Sequence, residues 1–200
     1  MSSLASVNNL TLDSPPPTRH TRASLIRAWL PALCWMGVIA FESTSVFTSD
    51  HTQHWMYTIL SYLFGVKFAA HHALIINAIG RKVGHFAGYA ILGGLSFYGW
   101  TEFLAYRTEK YWEKLGRLRT VVRRWHLRAA TLAVLTTFVV AAMDEFHQGF
   151  IPGRTGVFHD VILDTMGGIF AQIVLFLMWD ATRKRVGNKT VALEGLRSEA

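Results

Sequence analysis

The stretch Met143–Asp164, which reads MDEFHQGFIPGRTGVFHDVILD, sets a dense group of polar residues between two long apolar runs. These runs are Leu127–Met143 and Val161–Trp179. Because Pro152 and Gly153 break regular structure, the stretch predicts two helices joined by a turn near residues 151–155. Charged groups between membrane-length apolar segments are costly, so the cluster indicates a functional site.

The polar side chains of this stretch repeat at helical spacing. Before the turn, one helical face carries Asp144, His147 and Gln148, and after the turn Asp160 and Asp164 are again one helical turn apart. Glu145 is offset by one position from the first face and is expected to pair with Gln148. Two capped helix ends whose charges face water are the alternative, since acids are favoured in a first turn. Capping leaves Asp164 unexplained, because it lies a further turn into the apolar run. We therefore expect Asp144 and His147 to approach Asp160 or Asp164 across the turn.

The composition is that of a membrane protein. Of 200 residues, 51% are hydrophobic and 16% are charged, against about 25% charged in a typical soluble domain. The single cysteine, Cys34, excludes an intramolecular disulfide and a cysteine-rich metal site. The net charge of +7 does not indicate nucleic-acid binding, because the basic residues flank apolar runs.

Four apolar runs are long enough, with their flanks, to cross a bilayer. They are Leu25–Phe41, Val83–Phe103, Leu127–Phe146 and Val157–Trp179. The predicted fold class is therefore all-α, an integral membrane bundle of four transmembrane helices. Between the first and second spans, residues 46–82 carry apolar residues at helical spacing, which predicts one or two short amphipathic helices.

The remaining segments set the domain boundaries and the orientation. Residues 1–22 are rich in Ser, Thr and Pro and are predicted to be a disordered tail, residues 23–182 form the membrane domain, and residues 183–200 form a polar tail. Lys and Arg concentrate in both tails and in the connector 104–126. Cytoplasmic loops carry this excess, so both termini are predicted to be cytoplasmic and the turn near residues 151–155 extracytoplasmic.

A second polar group opens the second span. Lys82, His85 and Tyr89 fall on one helical face. Gly84 and Gly88 form a GxxxG step, Gly93 and Gly94 follow it, and such small residues favour close helix packing. In the predicted orientation this group, Glu42 and the Asp144–Asp164 hairpin all meet at the extracytoplasmic face. Such convergence of separate segments indicates one site.

Two cations are expected to neutralise part of the acid cluster. They are Lys82 and Arg154. If the lysine pair is buried, Lys82→Ala would cost about 3–5 kcal/mol of stability.

Two signatures, KVGHFAGYAILG (82–93) and DEFHQGFIPGRTGVFHDVILDTMGG (144–168), resemble the VanZ-like family, named for a teicoplanin-resistance protein. The resemblance extends over about residues 25–180. The family motif falls on Lys82, His85, Tyr89, Asp144, Glu145, His147, Gln148, Pro152, Gly153, Arg154, Asp160 and Asp164. One departure is Asp164-Thr165-Met166-Gly167, where many relatives carry Asn before the glycine. The resemblance implies a small protein of the bacterial cytoplasmic membrane and settles no reaction.

Recognition of an envelope ligand is the first functional hypothesis. Lys82, Arg154 and His85 would hold a phosphate, pyrophosphate or carboxylate of a lipid-linked cell-wall precursor or a lipoglycopeptide. The other ligand-binding candidates are Tyr89, Gln148, Asp160 and Asp164. A link to glycopeptide resistance follows from the resemblance alone.

A membrane enzyme acting on such precursors is the second hypothesis. His85 or His147 would act as general acid or base, aided by Asp144 or Glu145. No serine or cysteine nucleophile motif is present, and the sequence assigns no cofactor. A metal variant would use His85, His147, Asp144 and Asp160 as ligands, which suits Zn²⁺ or Mn²⁺. In a third, structural hypothesis, the charges only pair within the bundle.

Overall fold

The computed structural model describes residues 21–44, 49–115, 119–151 and 156–198. These residues form five helices and no strand: α1 (Arg22–Glu42), α2 (Ser49–Phe64), α3 (Val66–Leu115), α4 (Arg119–Gln148) and α5 (Phe158–Ser198). The predicted all-α class is confirmed. Side chains are described for residues 21–44, 51–107, 125–151 and 156–182.

Three segments among the described residues are long and apolar enough to cross a membrane. They are Arg22–Glu42, Trp125–Gln148 and Phe158–Thr182, which match the first, third and fourth predicted spans. The second predicted span, Val83–Phe103, is not among them. Its glycines, tyrosines and His85 have low hydropathy, so it is only moderately apolar. Many large apolar side chains on these helices are exposed, as lipid-facing residues would be.

Helix α3 is the central element of the fold. It has 50 residues and packs against each of the other four helices. The prediction of separate amphipathic helices holds only for α2, because the rest of that region is continuous with the second predicted span. The turn between α2 and α3 is a single residue, Gly65, with φ of 87°, a conformation that glycine adopts readily. The basic connector is also largely helical, since α3 reaches Leu115 and α4 begins at Arg119.

Close contact between α3 and α5 depends on three glycines. A Cβ atom on Gly167 would overlap the Phe86 carbonyl oxygen, and one on Gly93 would lie 2.8 Å from the Cα of Gly168. Close packing was expected at Gly84, Gly88, Gly93 and Gly94. That expectation is confirmed at Gly93 and wrong at the other three, because a Cβ on any of them would meet nothing within 4 Å.

Helices α4 and α5 pack against each other and are joined by residues 149–157, which places the predicted hairpin where the sequence indicated it. Residues 152–155, including the predicted turn and Arg154, lie outside the described part of the chain. Helix α5 continues to Ser198, so the predicted polar tail is helical almost to its end. The hairpin brings the carboxyl end of α4 beside the amino end of α5.

Candidate functional site

Asp144 is the centre of a buried hydrogen-bond network that joins three helices. Its Oδ1 accepts a bond from the hydroxyl of Ser43, just after α1. Its Oδ2 accepts one from the Tyr89 hydroxyl of α3 at 3.1 Å and one from Gln148 Nε2, a turn further along α4, at 2.9 Å. Asp144 is 8% exposed. Charge-assisted bonds of this kind hold a buried carboxylate in a fixed orientation.

Asp164 of α5 faces His85 of α3. Its Oδ2 lies 3.5 Å from His85 Nδ1, and the aspartate is completely buried. The other carboxylate oxygen, Oδ1, is buried and has no hydrogen-bond partner in the described part of the chain. The His85 side chain is 28% exposed, so the imidazole connects the buried acid with the outside of the bundle.

Glu145 ties the end of α4 to the start of α5. Its Oε2 accepts a bond from the backbone amide of Val157 at 2.9 Å. The expected pairing with Gln148 was wrong, because that amide bonds to Asp144. The second oxygen, Oε1, is buried without a partner among the described residues. Glycine at position 156 permits this approach, since a Cβ there would overlap the Glu145 carbonyl oxygen.

These networks meet at one end of the bundle. Donor atoms of His85, Asp144 and Glu145 all lie within 4.8 Å of one another. A small cavity of about 20 Å³ lies beside His85 and Asp144 and is also bordered by Ser43, Gly84 and Gly88. A cavity of that size has room for about one water molecule or ion. The indole of Trp35 closes the arrangement from α1 by donating to the Gly88 carbonyl oxygen at 2.8 Å.

Some predicted site residues lie outside this centre. Lys82 and His147 are exposed, and Asp160 is half-buried without a side-chain hydrogen bond to another described residue. Within the described chain Lys82 makes no ion pair, and the acid Asp164 faces His85 instead. The large stability cost expected for a buried lysine pair therefore has no basis in this structure. The donor atoms gathered here also differ from the predicted metal set, with Glu145 present and His147 and Asp160 absent.

Ser43 was missed by the sequence analysis, although its hydroxyl contacts the central carboxylate. The signal was present in the polar run Glu42-Ser43-Thr44-Ser45, which directly follows an apolar span. Helical spacing cannot connect this run to Asp144, because the two residues are 101 positions apart. Only the packing of α1 beside α3 and α4 brings them together.

Comparison with known families supports the resemblance noted in the sequence. The family model described as VanZ/LLP1 matches residues 28–179, which include all five helices in part or whole. The chain belongs to the VanZ/LLP1 family. No curated protein and no solved structure gives a match. The matched region contains every residue of the buried centre in this VanZ/LLP1 protein.

Proposed function

We propose that this VanZ/LLP1 protein is a four-span protein of the bacterial inner membrane that recognises envelope ligands from the extracytoplasmic side. Helix α3 packs beside three apolar helices, which supports a fourth crossing by Val83–Phe103. The excess of Lys and Arg in the tails and in residues 104–126 supports cytoplasmic termini. The buried polar centre then faces the compartment in which cell-wall precursors are used.

The ligand that fits best is the phosphate or pyrophosphate head group of a lipid-linked cell-wall precursor. One observation carries this proposal. Lys82 is exposed, lies three residues before His85 on α3, and makes no ion pair with a described residue. A lysine ammonium and a half-buried imidazole at a membrane face attract phosphate oxygens. A lipoglycopeptide carboxylate offers the same charge and is the alternative ligand.

Binding by matched lysine variants tests this proposal. Purified protein in nanodiscs is titrated with an undecaprenyl-pyrophosphate-linked precursor and with a neutral polyprenol of equal length. Loss of one charge-assisted bond, about 1.5–3 kcal/mol, should weaken precursor binding by about 10- to 100-fold in Lys82→Gln. Lys67→Gln is the control, since Lys67 is exposed on the same helix far from the centre. Equal loss in both variants, or no precursor binding by the wild type, would refute the proposal.

Cysteine labelling tests the orientation. Exposed positions Phe150, after α4, and Arg107, in α3, are replaced singly by cysteine with Cys34 changed to serine. A membrane-impermeant maleimide should label the first variant in intact cells and the second only after lysis. The reverse result would place the polar centre in the cytosol and would contradict recognition of a cell-wall precursor from the extracytoplasmic side.

An enzyme acting on the same precursors is a second candidate, favoured by the His85–Asp164 pair. A histidine held by a buried acid and partly open to the outside is suited to proton transfer. Incubation with a polyprenyl pyrophosphate should then release inorganic phosphate or change the head group. Precursor recovered unchanged at binding saturation would exclude this activity and leave recognition intact.

A further inference from the structure

We infer that His85, Asp144 and Glu145 form a binding site for one divalent metal cation. The three residues come from two helices, and their donor atoms lie within 4.8 Å of one another. Ligands about 2.1 Å from a tetrahedral or octahedral ion are separated by about 3–4 Å. Small side-chain movements therefore bring these atoms into a first coordination shell.

An oxygen without a partner supports the site independently of the clustering. Glu145 is 5% exposed, and its Oε1 is buried with no hydrogen-bond partner among the described residues. A buried carboxylate oxygen left unpaired costs free energy, and coordination to a cation removes that cost. The cavity of about 20 Å³ that His85 and Asp144 line is large enough for an ion or for one bound water.

A cation at this place would balance the charge of two buried acids. Asp144 and Glu145 are both buried, and within the described chain neither makes an ion pair with lysine or arginine. A divalent ion would neutralise both carboxylates at once. Lys82, which could have served in this way, is exposed.

The surrounding residues are arranged as supporting groups for metal ligands. His85 directs Nδ1 toward Asp164, so its Nε2 is left to bind the ion, as in a carboxylate–histidine–metal triad. Asp144 is oriented by Ser43, Tyr89 and Gln148. Its Oδ1 accepts only the bond from Ser43 and so retains a lone pair for coordination. Asp164 is in this view a positioning residue.

One nitrogen and two carboxylates favour Mn²⁺ or Zn²⁺ over Mg²⁺, which binds mainly to oxygen and water. The ion would also explain how an acidic centre serves a phosphate ligand, because a cation can bridge carboxylates and phosphate. The site itself stands on this chain's own residues. It can be tested without any lipid, so its failure and that of precursor recognition are distinguishable.

Metal binding is measured on the full chain in detergent after chelator treatment and dialysis. Mn²⁺ and Zn²⁺ are titrated separately, with thermal unfolding as one readout and electron spin-echo detection of nitrogen coupling to Mn²⁺ as the other. The wild type should bind one ion, unfold at higher temperature with metal, and show coupling to a histidine nitrogen. This measurement needs no variant, and absence of binding or of nitrogen coupling overturns the site.

Variants then locate the ion. Glu145→Gln should weaken binding at least tenfold, and His85→Gln should abolish the nitrogen coupling. Asp164→Asn should retain coordination but weaken affinity about 10- to 100-fold, as expected for a group that orients a ligand. His147→Gln is the control, because this exposed histidine lies two positions from Glu145 outside the cluster. Loss of coupling in His147→Gln, or unchanged affinity in Glu145→Gln, overturns the assignment.

Discussion

Two spaces at opposite ends of the helices differ in character. At one end, a cavity of only about 20 Å³ lies between α1, α3 and α4 and is bordered by polar groups of Ser43, His85 and Asp144. At the other, a cavity of about 440 Å³ is lined by apolar and aromatic side chains, among them Phe97 and Trp179. Helices α3 and α4 border both spaces, so they contact polar groups around a narrow space at one end and apolar side chains around a wide space at the other.

Side-chain size explains the difference. Near the polar end, Gly167 lets α5 approach the Phe86 carbonyl oxygen, and Gly93 and Gly168 continue this contact toward the middle of the bundle. Toward the apolar end the residues are larger, and the rings of His126 on α4 and Trp179 on α5 stack at 5.1 Å between centroids. Close approach of the helices matters more at the polar end, because hydrogen bonds require fixed distances, whereas an apolar space can be filled by lipid chains.

Among the substitutions that compare the two ends, removal of the Asp144 carboxylate should lower the stability most. Asp144→Ala leaves the hydroxyls of Ser43 and Tyr89 and the amide of Gln148 without their acceptor. At about 1–3 kcal/mol for each buried group left unsatisfied, we expect a loss of about 3 kcal/mol or more. Thermal unfolding in detergent measures it. His147→Ala, at an exposed position, should change stability by less than about 0.5 kcal/mol. Equal losses of stability in the two variants would mean that the buried network around Asp144 stabilises the fold no more than an exposed side chain does.

Separating the helices by one methyl group should have the next largest effect. Gly167→Ala forces a Cβ against the Phe86 carbonyl oxygen, and we expect a loss of about 1–3 kcal/mol from overpacking. Gly94→Ala is the matched control, because a Cβ there meets nothing within 4 Å. Chemical denaturation of both variants compares them. If Gly94→Ala were the more damaging, the glycine contact would not be what closes the polar end.

Removing one hydroxyl from the network should have a smaller effect. Tyr89→Phe deletes a single 3.1 Å bond to Asp144 and keeps the ring in place. A typical intramolecular hydrogen bond contributes about 0.5–1.5 kcal/mol, so a loss of about 1 kcal/mol is expected in thermal unfolding. Tyr98→Phe, on an exposed tyrosine of the same helix, is the control and should change nothing measurable. A null result for Tyr89→Phe would show that the other donors suffice.

Filling the apolar end should have the smallest effect. Ala130 lines the large cavity, so Ala130→Leu should change stability by less than about 1 kcal/mol, in either direction. Ala141→Leu, on the same helix but fully buried in the core beside Tyr89, should cost about 1–3 kcal/mol. Thermal unfolding of the pair measures the contrast. Comparable losses would show that both ends are equally packed.

The sequence was sufficient for features that depend on neighbouring residues. Hydropathy and spacing predicted the hairpin of α4 and α5, three of the membrane-length helices and most of the polar residues that meet in the centre. The Asp144–Gln148 bond joins residues one helical turn apart and follows from that spacing. The family resemblance was confirmed by the match over residues 28–179.

Features that depend on packing between distant helices could not be derived. Spacing put His147 on the face of Asp144, yet it is exposed, because the neighbouring helices cover only part of that face. The pairing of Asp164 with His85 spans 79 positions, and Lys82 was an equally good candidate by charge. The sequence likewise could not show which glycines make close helix contacts, since the contact at Gly167 depends on which face of α3 meets α5.

Helix α3 has a mechanical consequence. Its 50 residues make it about 75 Å long, whereas a bilayer with its head groups is about 40–45 Å thick. In the proposed four-span arrangement this helix would project well beyond the lipid, and the tight glycine contact at Gly93 would be the pivot of any tilt. A tilt of about 5° around that point would displace an end about 40 Å away by about 3.5 Å. In that arrangement, a ligand that repositioned His85 would move both ends of α3 without breaking a hydrogen bond of the helix.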